Sequence, residues 1–84
     1  MHEVYLERNV CEDLKRLPDA VRNRAVRAIQ SLASDPRPRG CRKLRGSHND
    51  YRVRAGDYRI VYEIDDAARR INVMRVKHRR DVYR

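Results

Sequence analysis

Apolar and polar residues alternate through Asp50–Ile64 with the period of a strand, and elsewhere the apolar residues recur with the period of a helix. In the first stretch Tyr51, Val53, Ala55, Tyr58, Ile60 and Tyr62 fall on one face, and Arg52, Arg54 and Arg59 fall on the other. Gly56-Asp57 is a two-residue hairpin signal. A turn there pairs Ala55 with Tyr58, Arg54 with Arg59, Val53 with Ile60 and Arg52 with Val61. Upstream, Val21, Ala25, Ala28, Ile29 and Leu32 form a helical stripe that predicts a helix from Asp19 to about Ser34. Before it, Val10, Leu14 and Leu17 predict a shorter helix that stops at Pro18, with Asn9 as N-cap and Glu12 completing a capping box.

The remaining segments complete the order. His2–Leu6 reads as a first strand, with Val4 and Leu6 on one face. Pro36 and Pro38 make residues 35–42 a loop, followed by Lys43-Leu44 and a turn at Gly46–Asp50. Asp65–Arg69 is a second turn and Arg70–His78 a fourth strand. Its alternation is imperfect, and the Met74/Val76 face is assigned to the core, leaving Ile71 and Val73 on the other face with Arg75 and Lys77. Arg79–Arg84 is a loop or a turn of helix. The order β-α-α-β-β-β predicts an α+β fold: a two-helix hairpin on one face of a small, mainly antiparallel, four-stranded sheet, as a single domain over residues 1–84.

No apolar run is long enough to span a membrane, and MHEVYLERN lacks the apolar stretch of a signal peptide, so a cytoplasmic chain with no membrane partner is expected. Cys11 and Cys41 have neither metal-ligand spacing nor a CxxC pattern; both read as ordinary thiols, Cys11 in or near the core. The three histidines are dispersed and no carboxylates cluster at ligand spacing, so neither a metal nor another cofactor is expected.

Charge adds the functional signal. The 84 residues hold 21 Lys+Arg against 12 Asp+Glu, a formal net charge of +9, and lysine occurs only at Lys15, Lys43 and Lys77. Arginine offers a planar fork of donors suited to bidentate phosphate contact, so the balance points to a polyanionic partner. Arg54 facing Arg59 across a ladder is destabilising unless an anion sits between them. A second basic cluster, Arg75–Arg84, brings Arg75, Lys77 and Arg79 to the same region. RNA cleavage by a 2′-hydroxyl needs cations at the pentavalent phosphate, a proton acceptor and a donor to the leaving oxygen. Guanidinium groups suit the first task and make poor bases, because their pKa lies above about 12. His78 and Tyr83 are the proton-transfer candidates in this stretch.

These residues carry a family resemblance. Lys43-Leu44-Arg45-Gly46, Tyr51-Arg52-Val53-Arg54, Gly56-Asp57-Tyr58-Arg59-Ile60-Val61-Tyr62 and His78-Arg79-Arg80-Asp81-Val82-Tyr83 resemble the RelE toxins of the RelE/ParE superfamily, from type II toxin–antitoxin systems. The resemblance implies an RNase that cuts mRNA in the ribosomal A site, and a RelB-like antitoxin that inactivates it; DNA would be reached only through the antitoxin. It implies that Arg52 and Arg54 occupy basic, usually lysine, active-site positions. Arg59 would stabilise the transition-state phosphate, Arg79 would serve the leaving group, and Tyr83 would orient a base. Arg45, Arg75 and Lys77 are expected to add RNA contacts. Arginine in place of lysine at Arg52 serves poorly as a general base, which puts His78 forward for that role. The alternatives are a ParE-like gyrase inhibitor and an antitoxin-binding homologue that has lost catalysis.

Overall fold

The computed structural model describes residues 1–81. The elements are β1 (Glu3–Leu6), α1 (Arg8–Lys15), α2 (Asp19–Ser31), β2 (Arg42–Lys43), β3 (Asp50–Ala55), β4 (Tyr58–Asp65), β5 (Arg70–His78) and a 3-10 turn at Arg79–Asp81. They form one sheet in the order β1-β5-β4-β3-β2. β1 runs parallel to β5 and the other pairs are antiparallel, so the sheet is mixed. The sheet has five strands rather than four, because Arg42–Lys43 pairs with β3 through Arg42↔Arg52 and Lys43↔Tyr51. Two residues are too few to display a period, so this strand exists only through its partner.

The β3–β4 hairpin has the predicted register, from Ala55↔Tyr58 at the turn through Arg54↔Arg59, Val53↔Ile60 and Arg52↔Val61. Gly56 has φ +63° while Asp57 keeps a negative φ, the type II′ arrangement whose twist suits a hairpin. Val53, Ala55, Ile60 and Tyr62 are buried, as alternation requires. They meet Val10 and Leu17 of the α1 region and Ala25, Ile29 and Leu32 of the α2 region. Tyr62 is fully buried and its hydroxyl donates to the Pro36 carbonyl at 2.7 Å, which pins the proline loop to the sheet. Burial pushes the Tyr62 phenol well above its ordinary pKa.

Four local expectations are corrected. In β5, Ile71 and Val73 are buried together with Val76, while Met74 is only partly buried. Val61 pairs with Arg75 and Tyr62 with Val73, so Met74 is an extra residue in a β-bulge. One inserted residue resets the alternation, which lets Ile71, Val73 and Val76 all face the helices. Helix α1 starts one residue before the predicted cap: Glu7 is the N-cap and makes no side-chain cap bond, so the Asn9/Glu12 capping box does not form. Cys11 is exposed, and the buried face of α1 carries Val10 and Asp13 instead. Helix α2 ends at Ser31, short of Ser34, and its last carbonyls are met by serine hydroxyls: Ser31 Oγ donates to Ala28 O at 2.8 Å and Ser34 Oγ to Ser31 O at 3.3 Å.

Candidate functional site

With both helices on one face, the other face of the sheet stays open, and the strand registers decide which side chains share it. Arg54 on β3 stands opposite Arg59 on β4, which stands opposite Lys77 on β5. These three form one row across the sheet. The next row runs Arg42, Arg52, Val61 and Arg75 across β2 to β5. Directly opposed side chains have Cβ atoms about 4.5–5.5 Å apart, so each row crowds like charges. Among the described residues, Arg54, Arg59 and Lys77 form no ion pair with a carboxylate. Among the described residues, the one side-chain hydrogen bond of the row runs from Arg59 Nη1 to the carbonyl of its neighbour Tyr58, at 3.4 Å. This is a concentrated, uncompensated positive field on a rigid scaffold.

Other cations are spent on the fold. Arg75 Nε and Nη2 donate to Asp13 Oδ2 and Oδ1 at 3.1 and 3.0 Å, a bidentate pair, and the Val76 N–H donates to Asp13 Oδ2 at 2.9 Å. Asp13 is the one buried charged residue among those described, so α1 is clamped to β5 through it. Arg75 ends the second row by register, but its guanidinium is tied to α1 and is not left unpaired as the sequence suggested. Arg37 Nη2 likewise donates to Asp66 at 2.9 Å, and its Nε to the Tyr51 hydroxyl at 3.3 Å. These contacts hold the Asp66 carboxyl below its ordinary pKa, with a further contribution from His2 Nε2 at 3.2 Å.

The C-terminal candidates divide. The backbone N–H of Arg79 donates to the Asp57 carbonyl at 2.8 Å, so the end of β5 lies against the turn between Arg54 and Arg59. Arg79 is exposed there. His78 pairs with Tyr58, and the two rings meet edge-on at 5.3 Å between centroids. Paired residues share a face, and Tyr58 packs against the core, so His78 lies on the helix side of the sheet beside Asp13, Arg16 and Leu17. The register therefore separates it from Arg54 and Arg59, correcting the expectation that it stands beside them. Its Nδ1 also accepts the Arg80 backbone N–H at 3.4 Å. Tyr83 lies outside the described residues.

Sequence reasoning missed one member of the open face. Arg42, read as loop, stands opposite Arg52 and lines an open groove with Lys43, Leu44, Arg45 and Arg52. Its signal was the basic run on either side of Leu44, which acquires meaning only when that run pairs with β3. Among the described residues, no group of three or more His, Cys, Asp or Glu is placed to hold a metal ion, and no helix is long and apolar enough to cross a membrane.

The fold and this cationic face have counterparts among known proteins. Residues 4–83 match the family described as ParE toxin of type II toxin–antitoxin system, parDE. Toxin RelE3 of Methanocaldococcus jannaschii is 32% identical over 96% of this chain and 94% of its own length. Toxin RelG of Mycobacterium tuberculosis is 34% identical over 86% of this chain and 84% of its own. Among solved structures, the archaeal RelE–RelB complex of Pyrococcus horikoshii contains a chain that superposes with a TM-score of 0.84 at 29% identity, covering 96% of this chain and 98% of that one. The RelBE2 complex of Mycobacterium tuberculosis matches with a TM-score of 0.80 at 28% identity, over 92% and 96% of the two chains. With the family match spanning nearly the whole chain and relatives named as RelE toxins at this identity, the protein belongs to the RelE toxins of type II toxin–antitoxin systems.

Proposed function

We propose that this toxin is a ribosome-dependent endoribonuclease that cuts mRNA in the ribosomal A site and so stops translation in the cytoplasm. The observation that carries the reading is the uncompensated row Arg54–Arg59–Lys77 on the open sheet. As the 2′-hydroxyl gives up its proton and attacks, the scissile phosphate goes from one negative charge to two, and fixed cations aimed at it stabilise that state more than the ground state. Arg59, in the middle of the row, takes that role. Arg79 stands at the end of β5 for the leaving 5′-oxygen, and Arg54 and Arg52 grip the strand. The products are a 2′,3′-cyclic phosphate and a free 5′-hydroxyl. The cations take the charge-neutralising part that a metal ion plays in other nucleases, so we propose a metal-independent reaction. Proton transfer falls outside the arginine row. His78 faces the helices, and Tyr83, named for proton transfer from its residue type, is the remaining candidate.

The partner reading follows the same chemistry. The Pyrococcus and Mycobacterium tuberculosis relatives are seen in complexes with RelB-type antitoxins, and a RelB-like antitoxin with acidic residues over the arginine row would block it. Primer extension on mRNA from cells expressing the chain is expected to show codon-periodic cuts within translated regions, lost in Arg59→Ala. Uniform absence of cuts with normal growth would favour a homologue that has lost catalysis. The description of the matching family as ParE favours one second reading, a gyrase inhibitor. Induction of DNA-damage signalling without mRNA cleavage would select it.

A further inference from the structure

Arg79 opens a 3-10 turn of three residues, Arg79–Asp81, and a turn that short does not hold itself together. The first N–H groups of any helical turn have no partner inside it, so each needs an acceptor from elsewhere. The first two are met here by different means. The Arg79 N–H donates to the Asp57 carbonyl at 2.8 Å, at the tip of the β3–β4 hairpin. The Arg80 N–H donates back to His78 Nδ1 at 3.4 Å. His78 therefore stands as the N-cap of the turn, with a ring nitrogen where serine, aspartate or asparagine ordinarily places an oxygen. Nδ1 of histidine and Oδ1 of asparagine lie the same number of bonds from Cα, which is why the ring reaches the second amide.

The ring is set from the helix side. It stands edge-on to Tyr58 of β4 at 5.3 Å between centroids, in a cavity that Asp13 and Arg16 of α1 also line. Arg75 and Lys77 of β5 and Asp81 of the turn are the other charged groups around it among the described residues. Asp13 is already committed to Arg75, and no carboxylate among the described residues stands within ion-pair distance of the His78 ring. A neutral imidazole offers one acceptor nitrogen, and a protonated one offers none. Protonation sets Nδ1–H against the Arg80 N–H, donor against donor, and removes the cap. We propose that His78 is a positioning residue whose neutral ring caps the turn at Arg79–Asp81 and so holds Arg79 beside the Arg54–Arg59 hairpin. The proposal rests on the RNA-cleaving reading only for what Arg79 does once held. His78 acts on cleavage through the backbone, although its ring is turned away from the arginine row. An imidazole ordinarily takes its second proton near pH ~6.5, so cleavage carries an acid limb of structural origin.

Two substitutions separate the cap from the packing of the ring. His78→Asn keeps an acceptor at the same reach, loses the ring and does not titrate; His78→Phe keeps a ring against Tyr58 and has no acceptor. Single-turnover mRNA cleavage on ribosomes is measured for each between about pH 5.5 and pH 8, around the ordinary imidazole pKa. At about pH 8, His78→Asn should stay within about twofold of the native chain, because asparagine is a good cap. His78→Phe should be about five- to tenfold slower there, the population change of a lost cap, with ribosome binding unchanged. The native rate relative to that of His78→Asn should fall with a midpoint near pH ~6.5 and converge on that of His78→Phe in acid. A slow His78→Asn beside an intact His78→Phe overturns the proposal, because packing alone would then matter. Equal losses in both overturn it in favour of a proton-transferring imidazole, and native rates in both overturn it outright. A readout without RNA keeps the test apart from the nuclease reading. In the free chain the Arg79 and Arg80 amide resonances should shift together with those of the His78 ring, and should stay flat in His78→Asn. Flat amide resonances in the native chain overturn the cap. Titrating amides in a chain that cuts no mRNA uphold the cap and refute the nuclease reading alone.

Discussion

Two arginines one strand apart in this sheet have opposite fates. Arg75 is locked to Asp13 by two parallel hydrogen bonds and joins α1 to β5. Arg59 has only the carbonyl of the preceding residue within reach among the described residues, with Arg54 on one side and Lys77 on the other. Both are charged at any physiological pH, so the difference lies in what faces them. On the helix side the chain supplies a buried carboxylate, and the pair becomes structural. Around Arg59 it supplies further cations and, among the described residues, no ion-pair partner, so neighbouring like charges repel. The first arrangement stabilises the folded protein; the second leaves cations available for the anion proposed above.

That contrast can be broken from either side. The largest effect is expected on the open face: Arg59→Ala should slow single-turnover mRNA cleavage about 10²–10³-fold, the range for removing one preorganised charge-stabilising donor. Its urea midpoint should barely change. Asp13→Ala should do the reverse. It strands Arg75 and leaves the Val76 N–H unsatisfied, so we expect about 3 kcal/mol of destabilisation in urea titration, toward the low end for broken buried pairs because Arg75 retains some solvent. Tyr62→Phe removes the 2.7 Å bond to Pro36 and should cost about 1–2 kcal/mol by the same measurement. Arg54→Thr relieves the facing charge of Arg59, and should raise stability by about 0.5 kcal/mol while weakening RNA binding.

The smallest effect is acid-dependent. Asp66 is held below its ordinary value of 3.8 by Arg37 and His2, so its contribution is complete above that pH and is lost as pH falls through the lower folded value. Asp66→Asn should flatten the drop in melting temperature between about pH 5 and pH 3. An unchanged profile would place the acid sensitivity elsewhere.

Local pattern carried much of the fold. The hairpin was readable because alternation and a Gly-Asp turn specify one register, and Tyr51 through Tyr62 satisfy it together. The stripe of α2 was readable because five apolar positions repeat at helical spacing, and its end differed only where serine hydroxyls bond the last carbonyls. The site was half legible. Arg54 facing Arg59 follows from the hairpin alone, whereas Lys77 joining them depends on how β5 pairs, and Arg42 depends on a strand of two residues. His78 was placed by proximity in sequence to Arg79, but its pairing with Tyr58 turns it to the helix side, away from its strand neighbour Lys77.

What the sequence determined by itself was therefore the local periodicity, the excess of arginine and the hairpin that aligns two of them. Tertiary structure decided which cations remain unpaired. A single bulge at Met74 turned the alternation of β5, bringing Ile71, Val73 and Val76 to the core and Arg75 within reach of Asp13 on α1. Pairing between residues more than sixty positions apart leaves no trace in local spacing, because its free energy comes from burial and charge compensation that exist only once the layers have met.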